Sequence, residues 1–378
     1  MVEKTLILSN EDIEELVTMK ECIRAVEQAY LELGQGIAQE LPRRRIYHPR
    51  EKTQDQYYWF NEMAGIVPGM NTMALRLNSA TVEVTKKRGN ARFGFPGPFS
   101  GLVFLFDTQT NELLAVLQDF YLNPIRVAAT SAIVTARLAR DDSKVMGLFG
   151  SGTQAILQVE CTCAVADIRE IRLYSTRKER REDIARQMSQ VVDAKVVAVD
   201  HPRKAVEGCD IVTTATNSNE PVFDGEWLQP GTHVNTMIGS DSFLPRRETD
   251  DKTVLKSDIV VVNSKESVKL DKQPELYPLI KRGLIGWDDI YEIGDLLVKR
   301  KIHGRSTSTQ ITYHNNNVGM GIQFAALSRL VYERAQEQNR GTPLDASLFM
   351  QFSEDLRRIR DRAFLKREWP AGKANERL

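Results

Sequence analysis

The chain has 378 residues, 42% of them hydrophobic, and its 51 lysines and arginines balance 51 aspartates and glutamates. That length allows two domains, each with its own core, while the absence of a basic surplus argues against a nucleic-acid partner. No apolar run reaches the roughly 18–20 residues that cross a bilayer, so no membrane partner is expected either.

The amino terminus, MVEKTLILSNEDIEELV, turns acidic after a short apolar run and offers no small-residue cleavage site. A helix follows, with Asn10 as its cap and Ile13, Leu16, Val17, Ile23, Val26, Tyr30 and Leu31 at helical spacing. The stretch from Leu41 to Gly69 is rich in arginine, aromatics and glycine and reads as strands joined by loops. MALRLNS, SGLVFLFD and ELLAVLQ are predicted strands, with a turn at Thr108 to Asn111 between the last two. Between the first two lies RGNARFGFPGP, Arg88 to Pro98, a glycine and proline loop of the kind found near a site or an interface. Pro124 stands where proline starts helices, and VAATSAIVTARLA continues as one.

From Lys144 onward strands and helices alternate. KVMGLFG, REIRLYS, AKVVAVD, DIVTTAT, THVNTMI and DIVVVN are six short apolar strands, with TQAILQVECTCAVA and RKERREDIARQM as helices after the first two. This is the pattern of a doubly wound parallel sheet, a Rossmann α/β fold. Cys161 and Cys163 fall on one helix, where i and i+2 side chains point apart, so no metal site is expected there. With Cys22 and Cys209 they read as buried free thiols, which implies a reducing, cytoplasmic location. The tail beyond Glu354 is polar and charged, as in a solvated helix with a frayed end.

Gly150-Ser151-Gly152-Thr153-Gln154-Ala155 directly follows the first of these strands and opens a helix. The glycines permit a tight turn and close approach to a pyrophosphate, Ala155 still allows helix–sheet packing, and the helix start supplies free N–H groups and a positive dipole end. The second strand ends in Tyr174-Ser175-Thr176-Arg177-Lys178, with no acid before Glu179. Hydroxyls with Arg177 and Lys178 suit a ribose 2′-phosphate that an acid would repel. NADPH (NADP+) is therefore favoured over NADH.

Three arginines stand in apolar or structured surroundings: Arg44 after Pro42, Arg76 inside MALRLNS, and Arg126 at a helix start. A guanidinium in an apolar strand is costly unless it meets an anion, and three together make a carboxylate clamp. Asp241, after Gly239-Ser240 at a strand's carboxyl end, stands where doubly wound folds place catalytic groups. His233 reads as packed in its strand, and His314 belongs to a polar run before a late apolar helix.

The runs RVAATSA, GSGTQA and PGTHVNTMIGSD, in that order, resemble the ornithine cyclodeaminase and mu-crystallin family, with a likeness reaching from about Asn10 to Leu330. The resemblance implies homodimers formed through an amino-terminal domain to which the end of the chain returns. Residues 1–125 with 321–378 would then bind substrate and pair two copies as an α+β domain, and 126–320 would be the NADP-binding Rossmann domain. It also implies that Arg44, Arg76 and Arg126 grip the substrate carboxylate and that Asp241 is the acid or base beside the reacting carbon. The stretch Val234 to Gly239, with Asn235, Met237 and Gly239, would run along the nicotinamide, and Thr216 would touch the cofactor too. Two positions depart from the family pattern: Arg76 replaces a lysine, which removes any acid–base role there, and Pro98 replaces a threonine or serine.

The expected activity is NADPH-dependent reduction of a carboxylate-bearing imine, or the reverse oxidation of an amino acid. One alternative is an ornithine cyclodeaminase-like ammonia lyase with bound NAD, which the Ser-Thr-Arg-Lys sequence opposes. The other is a non-catalytic, NADPH-dependent ligand-binding protein.

Overall fold

The computed structural model describes residues 3–352 apart from 51, 52, 54, 88, 89, 238 and 242, and only the backbone of 86, 87 and 90–92. The predicted tail beyond Glu354 lies outside the described residues.

Two eight-stranded sheets carry the structure. The first contains β1 (Lys4–Leu8), β2 (Gln39–Pro49), β3 (Gln56–Val67), β4 (Thr72–Lys87), β5 (Asn90–Gly94), β6 (Ser100–Asp107), β7 (Leu113–Gln118) and β16 (Thr342–Asp345). Its order is β16-β1-β7-β6-β4-β3-β2, with β5 paired to β4. Part of the predicted loop between Arg88 and Pro98 is thus the strand β5.

The second sheet contains β8 (Val145–Phe149), β9 (Glu170–Tyr174), β10 (Lys195–Ala198), β11 (Ile211–Thr214), β12 (His233–Thr236), β13 (Ile259–Val262), β14 (Ile290–Glu292) and β15 (Thr312–Asn315). All pairs are parallel in the order β10-β9-β8-β11-β12-β15-β13-β14. The order reverses at β8, the switch point of a Rossmann sheet, where the carboxyl ends of β8 and β11 diverge. The six expected strands are present. The seventh and eighth are additions, and β15 consists of Thr-Tyr-His-Asn, which had read as a polar run.

The helices are α1 (Asn10–Glu14), α2 (Met19–Gly34), α3 (Leu122–Leu138), α4 (Thr153–Val165), α5 (Lys178–Met188), α6 (Asp251–Leu255), α7 (Lys265–Asp271), α8 (Tyr277–Lys281), α9 (Ile293–Leu297) and α10 (Gly321–Glu337). The single first helix of the prediction is two. Ser9, not Asn10, caps α1 in a capping box with Asp12, and Thr18 caps α2 in a second box with Glu21. A capping hydroxyl satisfies one orphan N–H at each start, so Thr18 favours a fresh helix over continuation.

Helices α2, α3 and α10 supply most of the helical side of one large core, with Ile23, Val26, Leu122, Ile133, Phe324 and Leu327 buried against β-strand residues such as Met63, Val103 and Leu105. Helix α3 begins just after β7 and ends before β8, and so connects the two sheets. The expected helix from Pro124 is therefore present and begins two residues earlier. No helix among the described residues is long and apolar enough to cross a membrane.

Candidate active site

The first polar group forms where β4, α3 and α10 meet. Arg76 is buried on β4, and its Nε and Nη2 reach Asp119 Oδ2 at 2.7 and 2.6 Å, while Asn78 donates to the same oxygen at 3.2 Å. Arg126, in the first turns of α3, donates to Asn123 Oδ1 at 2.8 Å and to Gln323 Oε1 at 3.2 Å, both neutral partners. Both guanidinium groups lie over the ring of Phe324, at 5.3 and 5.5 Å from its centre. Cations on an aromatic face retain some stabilisation without a counter-ion. Burial, then the charge of Arg76, lowers Arg126 to about 9. Gly319 lies directly against this guanidinium, where a Cβ would stand 2.5 Å from Arg126 Nη1.

The third arginine of the cluster is Arg43. A register shift separates the Leu41 and Arg44 pairings on β2. Beyond it, alternation turns Arg43, Arg45 and Tyr47 inward, and Arg44 outward with the exposed Leu41 and Ile46. Arg44, the residue expected from the sequence, thus lies on the outward face and its neighbour Arg43 on the inward one. Arg43 Nε and Nη2 are buried with no hydrogen-bond partner among the described residues. Burial, followed by the charge of Arg45, lowers this guanidinium well below its ordinary range; Asp271 opposes the shift, and Arg126 and Arg76 add to it. A buried, unpaired cation is costly unless an anion arrives. Arg43 faces a cavity of 480 Å³ whose wall also includes Glu40, Pro42, Asn263, Ser264 and Met320.

Asp241 stands beside this cluster, since a Cβ on nearby Gly239 would lie 3.9 Å from the Arg43 guanidinium. Its Oδ2 accepts the Tyr47 hydroxyl at 2.7 Å and faces Arg45 Nε at 3.1 Å. Its Oδ1 accepts the backbone N–H groups of Phe243 and Leu244 at 3.0 and 2.6 Å. Three hydrogen bonds and the Arg45 contact fix the direction of this carboxyl group. Burial, then the Asp241 charge, raises Tyr47 above its usual range, so its hydroxyl keeps its proton. Arg45 also bonds Asp271 at 2.9 Å. Neither Tyr47 nor Arg45 was anticipated. The available signal was β2's inverted pattern, with charge inward and Leu41 and Ile46 outward.

The cofactor segments occupy the carboxyl ends of the second sheet. Gly150 adopts φ +120°, and a Cβ there would strike the Ala215 carbonyl. Gly152 caps α4 without a side-chain bond and has open space where a Cβ would be. This is a backbone cradle at a 13-residue helix's amino end, with free N–H groups for a pyrophosphate. The residues present fit a dinucleotide. Ala155 is buried under the sheet, Thr153 opens the helix, and Gln154 donates weakly to the Pro124 carbonyl at 3.4 Å.

Ser151 and Ser175 hydroxyls lie 3.2 Å apart, bridging the first two strand ends. Thr176, Arg177 and Lys178 are exposed beside them. Two unpredicted arginines brace this corner: Arg180 donates to the Ser151 carbonyl at 3.2 Å, and Arg181 to that of Ser175 at 3.0 Å.

Two expected cofactor contacts are used internally. Thr216 gives its N–H and hydroxyl to Glu248, at 2.5 and 2.6 Å, and its carbonyl accepts from Arg246. Asn235 is fully buried and bonds Thr135 of α3 and His314 of β15 at 2.8 and 2.9 Å. His314 also meets Asn263 at 3.2 Å, and Asn263 donates to Asn316 at 2.8 Å, so both ring nitrogens of His314 on β15 have partners in a buried network. His233 is packed as expected, with burial pushing it down to about 3. Met237 is nearly buried at the end of β12, one step before the Gly239–Asp241 segment.

The family model described as Ornithine cyclodeaminase/mu-crystallin family matches residues 3–339. An alanine dehydrogenase of Archaeoglobus fulgidus is 31% identical over 342 residues, which cover 90% of this chain and 98% of that protein. A Delta(1)-pyrroline-2-carboxylate reductase of Bacillus cereus is 32% identical over 285 residues, 75% of this chain and 83% of that one. Among solved structures, the Thermococcus litoralis Delta(1)-pyrroline-2-carboxylate reductase in complex with NADH and L-proline has a TM-score of 0.78 at 30% identity, covering 90% of this chain and all of that one.

Proposed function

Because the chain belongs to the ornithine cyclodeaminase/mu-crystallin family, we propose that it reduces a carboxylate-bearing imine with NADPH, or runs the reverse oxidation of an amino acid. The observation that carries this reading is the guanidinium of Arg43, whose buried Nε and Nη2 have no hydrogen-bond partner among the described residues, beside Arg76, Arg126 and Asp241. Three inward arginines offer donors for a carboxylate, beside the oriented carboxyl group of Asp241. Relatives named for alanine oxidation and pyrroline-2-carboxylate reduction support chemistry at a carbon–nitrogen bond adjoining a carboxylate.

Arg43, Arg76 and Arg126 hold the substrate carboxylate, and the ring of Phe324 fixes the last two. Asp241, oriented by Tyr47, Arg45 and two backbone N–H groups, faces the nitrogen of the protonated imine and stabilises its positive charge. Reduction then needs no further proton, because an iminium that gains a hydride is already a neutral amine. In the oxidative direction, the same carboxylate takes a proton from the substrate ammonium. Holding both ends of the substrate supplies the orientation.

Residues Gly150 to Ala155 hold the dinucleotide, which when bound supplies the hydride. The acid-free corner at Ser175, Thr176, Arg177 and Lys178 supports NADPH over NADH and opposes the cyclodeaminase alternative. We assign residues 1–125 with 321–378 to substrate binding and pairing, and 126–320 to the cofactor. Two copies pair through the outer face of the first sheet, where Leu41 and Ile46 stand 65% and 59% exposed.

The test is nicotinamide absorbance with a panel of cyclic imino acids and of 2-keto acids mixed with amines. NADPH oxidation well ahead of NADH is expected. Ammonia release from a diamino acid without net cofactor oxidation would replace the proposal with a cyclodeaminase.

A further inference from the structure

Beyond Arg45 the inner face of the first sheet changes from charged to aromatic. The Tyr47 ring stacks on Phe243 at 4.2 Å, and Tyr57 meets Phe243 edge-on at 5.1 Å. Trp59 is the partner of Tyr47 across the β2–β3 ladder, and Phe95, just past β5, lies 5.3 Å from Trp59. These five rings form a continuous wall starting at Asp241, because Tyr47 donates to that carboxylate and Phe243 is two residues past it.

Two features of the wall point to a ligand. Phe95 and Phe243 each pack one side on another ring yet remain 55% and 43% exposed. Trp59 Nε1 is buried with no hydrogen-bond partner among the described residues, and an indole N–H usually finds an acceptor when buried. Apolar faces and an idle donor are thus concentrated beside the reacting centre.

We propose that this wall is a substrate subsite for a bulky, preferably aromatic, substituent of the imine, with Trp59 and Phe95 as its specificity determinants. The proposal rests on the imine chemistry assigned above. The arginines fix the carboxylate at one end and Asp241 fixes the nitrogen, so the remaining direction along β2 leads to the rings. The aromatic group can be carried by the side chain on the imine carbon or by the nitrogen. An apolar pocket discriminates about 10–200-fold per well-placed group, which sets the scale.

Binding is measured first on the full chain saturated with NADP+, by ligand-detected NMR with 3-phenylpropanoate and propanoate. At least tenfold tighter binding of phenylpropanoate is expected. Trp59→Ala and Phe95→Ala shrink that preference to about threefold or less, and Trp59→Phe, which keeps a ring, restores much of it. Turnover then separates the two sources: phenylpyruvate with methylamine places the ring on carbon, pyruvate with benzylamine places it on nitrogen, and pyruvate with methylamine has none. One ringed pair is expected to exceed the ringless pair at least tenfold in kcat/KM, a ratio that Trp59→Ala collapses. Equal affinity for the two acids, or a preference unchanged in both alanine variants, overturns the subsite. If no pair is reduced while the Trp59-dependent binding preference persists, the imine chemistry fails and the subsite stands.

Discussion

Replacing Arg76 by methionine keeps the side-chain length and removes the charge. In the native protein both donors of Arg76 converge on Asp119 Oδ2, in a pair whose side chains are 7% and 2% exposed. Without Arg76, that carboxylate keeps, among the described residues, the Asn78 bond at 3.2 Å. Breaking one side of a buried pair costs about 3–5 kcal/mol, because the surviving charge stays desolvated. Removing both charges is nearly neutral by the same reasoning. Urea denaturation at pH 7 of Arg76→Met, Asp119→Asn and the double variant measures the coupling. A loss of about 3 kcal/mol or more is expected for Arg76→Met, with most of it recovered in the double variant. A single-variant loss below about 1 kcal/mol, the range of exposed pairs, or simple addition of the two losses, would refute the account of a buried, mutually dependent pair.

Tyr47→Phe deletes the 2.7 Å donor to Asp241. Hydrogen bonds to charged groups contribute about 1.5–3 kcal/mol, so kcat/KM falls roughly 10–100-fold with little change in melting temperature; unchanged kcat/KM would separate Asp241 from the chemistry. Burial raises Glu275 to about 8 from an ordinary 4.5. Its folded-state value exceeds the unfolded one, so its stability contribution is full below about pH 4.5 and is lost as pH rises through about 8. Glu275→Gln should therefore gain stability relative to the native chain between pH 5 and 8, and parallel pH profiles would contradict that. Ile46→Glu places a charge on the exposed apolar face of β2 and is expected to convert dimers to monomers in light scattering. An unchanged mass would move the pairing surface elsewhere.

The Rossmann half was legible because its strands are short apolar runs, and the Gly150–Ala155 turn carries its own backbone chemistry. Strand β15 was not, because Thr312, His314 and Asn315 are polar. His314 is held there by Asn235 and Asn263, 79 and 51 positions away in the sequence, and Asn235 in turn by Thr135. Arg76 and Arg126 stood out by their apolar settings, and both are buried. The inward place of Arg43 was not legible, because the shift between Leu41 and Arg44 resets which residues face inward. Strand alternation has a period of two, so a single irregularity exchanges the faces. The Tyr47–Asp241 bond joins residues 194 positions apart, and no local pattern predicts such a pairing.

The most direct test of the central claim follows the hydride. The protein is incubated with NADPH carrying deuterium at the transferable C4 position and with a cyclic imine carboxylate, and the product is analysed by mass spectrometry and NMR. One deuterium at the α-carbon of the amino acid, in proportion to the NADPH consumed, is the predicted result. An α-carbon without deuterium, or product formed with no net oxidation of NADPH, would contradict it.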